Sequence, residues 1–215
     1  MTFLIVLVGW VFSLCLHEFS HAAVAYAGGD TTVREKGYLT FNPLKYTHPV
    51  YSILVPLLFL ALGGIGLPGG AVYIETWRLR SRAWKSAVSL AGPAANLILA
   101  IALGILLSVA PVSREGIWPG LSFLAFLQVS ALVLNLIPLP PFDGFGALEP
   151  YLPEGIRTAV AQVSGLLPWA VFFLLWYVPE VYNTFWTAVV GLTQILNVPL
   201  DLVERGLRDF RFWYR

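Results

Sequence analysis

The chain has 215 residues, 58% of them hydrophobic and only 12% charged, with a formal net charge of +1. A soluble globular domain carries roughly 45–50% apolar and about 25% charged residues, so this is the composition of an integral membrane protein. The near-zero charge gives nucleic acid nothing to bind, and a single cysteine, Cys15, excludes an internal disulfide and any multi-cysteine metal site.

Apolar runs lie at about 2–27, 50–67, 86–110, 117–139, 162–179 and 181–199. Crossing a bilayer takes about 20 helical residues. The first run ends in Ala25-Tyr26-Ala27 but lacks the basic start of a secretion leader, so it reads as a resident helix. The second is short and contains Pro56, Gly63, Gly64 and Gly66, which suits a segment that enters the bilayer and returns. The polar stretches near 28–48 and 69–85 are loop-sized and leave no room for a soluble domain. In the first of them, Thr31-Thr32-Val33 and Tyr38-Leu39-Thr40-Phe41 flank Gly37, and a β-hairpin-like loop is expected, with an edge strand that an unwound peptide could join. The tail DLVERGLRDFRFWYR mixes Arg205, Arg208, Arg211 and Arg215 with Phe210, Phe212, Trp213 and Tyr214, as an interfacial anchor does.

The expected fold is therefore an all-α integral membrane protein, one polytopic unit over 1–215. It has five to six transmembrane helices, a re-entrant segment, a functional core over about 1–150, and C-terminal helices with an interfacial tail over 160–215. Lys and Arg collect on the cytoplasmic side of membrane proteins, which tests the second run. If all six runs cross, the better orientation puts nine of thirteen inside; if the second returns and the N-terminus is outside, twelve are inside and only Arg114 is outside. The charges favour five crossings plus a re-entrant segment.

Within the first run, His17-Glu18-Phe19-Ser20-His21 reads H-E-x-x-H. Residues four apart on a helix are about 40° apart in azimuth, so both imidazoles can reach one Zn²⁺ while Glu18 projects toward a metal-bound water. With three His and eight Glu in the chain, chance would produce this pattern roughly once or twice in a thousand sequences. Buried in apolar surroundings, such groups are costly unless liganded.

A catalytic zinc holds three protein ligands and keeps one position open for water, so a third is required. The candidates are His48, beside Pro49, and Asp143, in NLIPLPPFDG, where Pro138, Pro140 and Pro141 break the helix. Asp143 is the better placed. Fifteen residues separate Thr2 from His17, about 22 Å of helix, so the histidines lie toward the C-terminal side of their span. Asp143 is also at a C-terminal end, so the two helices must run parallel, with an odd number of crossings between them. That again makes the second run re-entrant and puts the site toward the cytosol.

In LAGPAANL, Ala91, Gly92, Ala94 and Ala95 allow close helix approach and Pro93 opens the backbone ladder. Asn96 either supports the site or bridges helices, bridging being preferred. Cys15 lies about 200° round the helix from His17 and should face away from the metal. Glu149 and Glu154 are expected in solvent.

HEFSHA, GYLTFNPLKY, LAGPAANL and NLIPLPPFDG, in that order over most of residues 13–146, resemble the site-2 protease family of intramembrane zinc metalloproteases, in its short branch without a PDZ or CBS domain. The resemblance implies His17, His21 and Asp143 as ligands of one zinc per chain, Glu18 as catalytic base, and Asn135 as a contact to the substrate backbone near the scissile bond. Asn135 is alternatively helix-to-helix glue. The implied partners are the bilayer and a membrane-anchored protein substrate, with an accessory membrane protein or a second copy of the chain as a source of substrate filtering. Tyr46-Thr47-His48-Pro49 and GGAVYIETW depart from the family pattern and bear on substrate preference.

Two other classes compete with proteolysis. A silent zinc-holding membrane scaffold would need ligands but no general base, and Glu18 argues against it. A transporter using His17, Glu18 and Asp143 as an ion path would commonly show internal repeats, which the sequence lacks.

Overall fold

Residues 1–46 and 72–214 are described by the structure, a computed structural model; the expected re-entrant run at 50–67 and His48 lie outside the described residues. The first apolar run folds as α1, Thr2–Gly28. It ends at Gly29, where φ is 119°; the Gly29 N–H meets Tyr26 O while the Asp30 N–H reaches Ala25 O. This left-handed cap satisfies carbonyls at the helix end and favours glycine. The buried Asp30 carboxylate then accepts from the N–H and hydroxyl of Thr32, at 3.1 and 2.6 Å, and starts the helical turn α2, Thr32–Glu35.

That turn corrects the hairpin expectation. Thr32 and Val33 are helical, Leu39–Phe41 is a bend, and no strand occurs among the described residues. Strand propensity over three or four residues is a weaker force than a capping carboxylate. A short 3₁₀ turn, Pro43–Lys45, returns the chain to α1, where the Tyr46 hydroxyl donates to Cys15 O at 3.1 Å.

Residues 72–78 form a strap over the same end of α1. The second Asp30 oxygen accepts the Glu75 N–H at 2.7 Å, and the Glu75 carboxylate pairs with Lys36 at 3.1 Å and Arg78 at 2.6 Å. The strap leads into α3, Arg82–Val109, whose first turn is capped by Ser81 accepting from the Trp84 N–H. Next come α4, Trp118–Asn135; a proline-rich loop; α5, Asp143–Leu148; and two bent helix pairs. These are α6, Glu154–Val163, with α7, Leu167–Tyr177, and α8, Pro179–Ile195, with α9, Leu200–Phe210; they bend by 73° and 116°. Three helices, α1, α3 and α4, are long and apolar enough to cross a membrane, and the bent pairs raise the number to as many as five.

The three long helices build the core. Gly120 of α4 packs on Thr2 and Ile5 of α1, while His17 and Asn135 share a narrow cavity at the other end, so α1 and α4 run parallel. Antiparallel to both, α3 places Val88 against His21 and Leu107 in one cluster with Val6 and Trp10. This is the parallel pairing that the depth of His17 and Asp143 requires. Polarity is reversed relative to a soluble protein: Leu4, Val8 and Phe12 form an exposed stripe on α1, and Ser13, His17, Glu18, His21, Asn96, Gln128 and Asn135 are buried.

The C-terminal helix is not where the charge count put it. α9 buries Leu202, Val203, Gly206 and Phe210; Gly206 abuts Pro119 O, and the Phe210 ring stacks on Phe3 at 5.3 Å. The tail thus sits at the N-terminal end of α1, remote from the histidines, and Arg205, Arg208 and Arg211 lie with Arg114 rather than across the membrane from it. The positive-inside count treated the tail's arginines as the end of a fifth crossing; a strongly amphipathic helix folded back on the bundle is anchored by packing instead.

Candidate metal centre

Three elements bring the site together. H-E-x-x-H sits three turns from the start of the α1 cap, α3 supplies a close backbone surface, and the proline-rich loop after α4 delivers Asp143 as the first residue of α5. His17 Nε2 and His21 Nε2 lie 3.0 Å apart, and Asp143 approaches them at 3.3 and 3.5 Å. A tetrahedral zinc with bonds of about 2.0–2.1 Å has ligand-to-ligand edges of about 3.4 Å. The observed separations match those edges.

The proton arrangement also calls for a cation. His21 Nδ1 is 2.7 Å from Val88 O, and His17 Nδ1 is 2.6 Å from Asn96 Oδ1. Both oxygens are acceptors, so both Nδ1 atoms carry the proton and both Nε2 atoms present lone pairs. Asp143 Oδ2 is buried without a hydrogen-bond donor. Two imidazole lone pairs and a carboxylate oxygen therefore face one another with no proton between them, an arrangement that a bound metal satisfies. Room for the ion comes from Gly92 on α3: a Cβ there would lie 2.3 Å from His21 Nε2 and 2.4 Å from His17 Nε2.

Around this group opens a cleft of about 650 Å³, lined by Glu18, Val72, Ile74, Lys85, Asn135 and Arg157 among others. One Glu18 oxygen accepts the Val72 N–H of the strap at 3.2 Å. Asn135 is buried, faces both the cleft and the narrow cavity beside His17, and its Nδ2 has no partner. An amide donor left unpaired in a core costs about 1–3 kcal/mol, so it is a group waiting for a ligand rather than glue between helices.

The residues singled out from sequence thus meet: His17, Glu18, His21, Asn135 and Asp143 share one cleft. Asn96, expected chiefly to bridge helices, does more, since it contacts His17 and also donates to Gln128 at 2.8 Å. Cys15 packs in the apolar cluster of Ala22, Ala25 and Val88 and takes no part. Two contributors escaped the sequence reading. Gly92 was flagged for helix packing alone, and Gln128 had only one mark, an uncharged amide within an apolar run.

Comparison with known proteins agrees with this geometry. Residues 2–113 match peptidase family M50. The chain is 49% identical, over 98% of its length and 81% of the relative's, to a Mycolicibacterium smegmatis protein whose name, Rip2, designates it a zinc metalloprotease. It is 45% identical to the Rip2 of Mycobacterium tuberculosis strain H37Rv over 98% of this chain and 81% of the relative, and 30% identical to the zinc metalloprotease by name YwhC of Bacillus subtilis, over 87% of each. No solved structure matches. The chain belongs to peptidase family M50, the site-2 proteases, and is a membrane-embedded zinc metallopeptidase.

Proposed function

We propose that the protein hydrolyses peptide bonds in or beside the transmembrane segments of membrane-anchored proteins, with His17, His21 and Asp143 holding one zinc ion per chain, Glu18 as general base and Asn135 as a donor to the substrate. The observation that carries this reading is the convergence of three ligand atoms beside a carboxylate outside that triad, on the floor of a cleft between membrane-length helices. When bound, zinc brings the pKa of its water toward about 7 and polarises the scissile carbonyl. The remaining work falls to the chain. With one oxygen held by the Val72 N–H, Glu18 keeps the other to take the proton of the attacking water and pass it to the leaving amine. The free Asn135 Nδ2 donates to the substrate carbonyl oxygen as charge builds on it. Substrate docking by strand addition at 28–48 is not part of this reading, because those residues form a helical turn.

The site faces the cytosol in this reading. Of the twelve described Lys and Arg, eight lie at the site's end of the bundle, Arg34, Lys36, Lys45, Arg78, Arg80, Arg82, Lys85 and Arg157, against four at the other. The test is cleavage of model transmembrane peptides in liposomes. Native protein should cut them, and Glu18→Gln should lose on the order of 10²–10⁴-fold in rate while keeping zinc. Zinc-loaded native protein that cuts none of a panel of such peptides would favour the scaffold reading.

A further inference from the structure

The contact between His17 and Asn96 is the first link of a longer chain. Asn96 Nδ2 donates to Gln128 Oε1 at 2.8 Å, Gln128 Nε2 donates to Ser13 Oγ at 3.0 Å, and the Ser13 hydroxyl donates to Trp10 O at 2.8 Å. The path runs from α1 to α3, on to α4 and back to α1 one turn below its start. All four side chains are buried.

Its direction is forced from the far end. A backbone carbonyl only accepts, so Ser13 must give its single proton to Trp10 O and can only accept from Gln128. Gln128 must then turn its NH₂ toward Ser13 and its oxygen toward Asn96. Asn96 meets that oxygen with its own NH₂, which leaves Oδ1 facing His17. His17 Nδ1 is thereby required to be N–H, and Nε2 is left as the lone pair on the metal side. His21 reaches the same state in one step, through Val88 O.

We infer that Gln128 and Ser13, neither of which touches the metal group, are positioning residues that fix the tautomer and ring orientation of His17 through Asn96. The inference rests on the reading of His17 as a zinc ligand. Partners of this kind behind ligating histidines change metal affinity by about 10–100-fold.

Two substitutions at one position separate a relay from simple packing. Gln128→Met fills the volume but removes acceptor and donor, so zinc affinity measured by chelator competition should fall about 10–100-fold, and nitrogen-15 spectra of the metal-free protein should show His17 no longer purely Nδ1-protonated. Gln128→Glu, as the protonated acid, keeps an oxygen for Asn96 and a proton for Ser13, and should restore both readouts. A packing role gives the reverse order, with Met tolerated and the acid harmful. Native affinity and an unchanged His17 tautomer in Gln128→Met would overturn the proposal. If Gln128→Met does not fold, Ser13→Ala is read the same way: mixed His17 tautomers support the relay and a pure Nδ1–H form overturns it. A native protein that binds no zinc while His17 remains Nδ1-protonated would defeat the metal reading and leave the relay standing.

Discussion

Gly92→Ala inserts one methyl group at the point where α3 passes the two histidines. The new Cβ would lie 2.3 Å from His21 Nε2, 2.4 Å from His17 Nε2 and 2.5 Å from His17 Cε1. Those separations are about 1 Å or more below van der Waals contact, and they nearly coincide with zinc–nitrogen bonds of about 2.0–2.1 Å. The methyl would occupy the space that the ion needs. Neither ring can swing aside freely, because each is held at Nδ1, His21 by Val88 O at 2.7 Å and His17 by Asn96 at 2.6 Å. Relief must come from a shift of α3, which carries both of those partners. Overpacking of this kind costs about 1–3 kcal/mol of stability, so the protein should still fold. Zinc affinity should fall on the order of 100-fold or more, since two orienting partners, each worth about 10–100-fold, move together. The assay is zinc per chain in detergent against a graded chelator, with Gly191→Ala as control, since a Cβ there meets nothing within 4 Å. A Gly92→Ala protein that holds zinc as tightly as the native chain would refute the placement of the ion between α1 and α3.

Three further outcomes follow from the same geometry. Asn135→Leu should reduce kcat by about 10²–10³-fold with zinc content unchanged; loss of zinc or of folding in step with activity would make Asn135 a packing residue. Glu75→Gln should free the strap, seen as faster tryptic cleavage after Arg78 and Arg80. Arg78, then Lys36, holds the Glu75 carboxyl below the usual carboxylate range, so this anchoring is complete at neutral pH and is lost as pH falls through that lowered value. A strap equally protected in Glu75→Gln, or unchanged on acidification, would count against it. Gly206→Ala should destabilise by about 1–3 kcal/mol, because its Cβ would lie 2.1 Å from Pro119 O, a backbone atom that cannot rotate away. Zinc binding should be untouched, and an unaltered melting temperature would argue that α9 does not dock beside the N-terminus of α1.

Much of the site was legible because it rests on periodicity. His17 and His21 are one helical turn apart, and the depth of Asp143 followed from the length of α1 and three prolines. What stayed hidden depends on which helix faces which. Gln128 sits 32 residues from Asn96 and 115 from Ser13, and no local pattern announces that they meet. Gly92 had a packing signal, but nothing in LAGPAANL tells that its neighbours are imidazoles rather than leucines. The hairpin expected at 28–48 failed for a local reason of a different kind: Asp30 offers its carboxylate to Thr32 and decides the turn, overriding weak strand propensity. The tail's arginines misled because a charge count takes no account of Phe210 stacking on Phe3.

The most direct test of the account is zinc content per chain, measured side by side in native protein, Asp143→Ala and Glu18→Gln. The expected result is one zinc in the native chain and in Glu18→Gln, and a weakly held, substoichiometric ion in Asp143→Ala. A full zinc that survives Asp143→Ala with native affinity, or one lost in Glu18→Gln, would contradict a centre in which His17, His21 and Asp143 bind the ion and Glu18 serves as the base beside it.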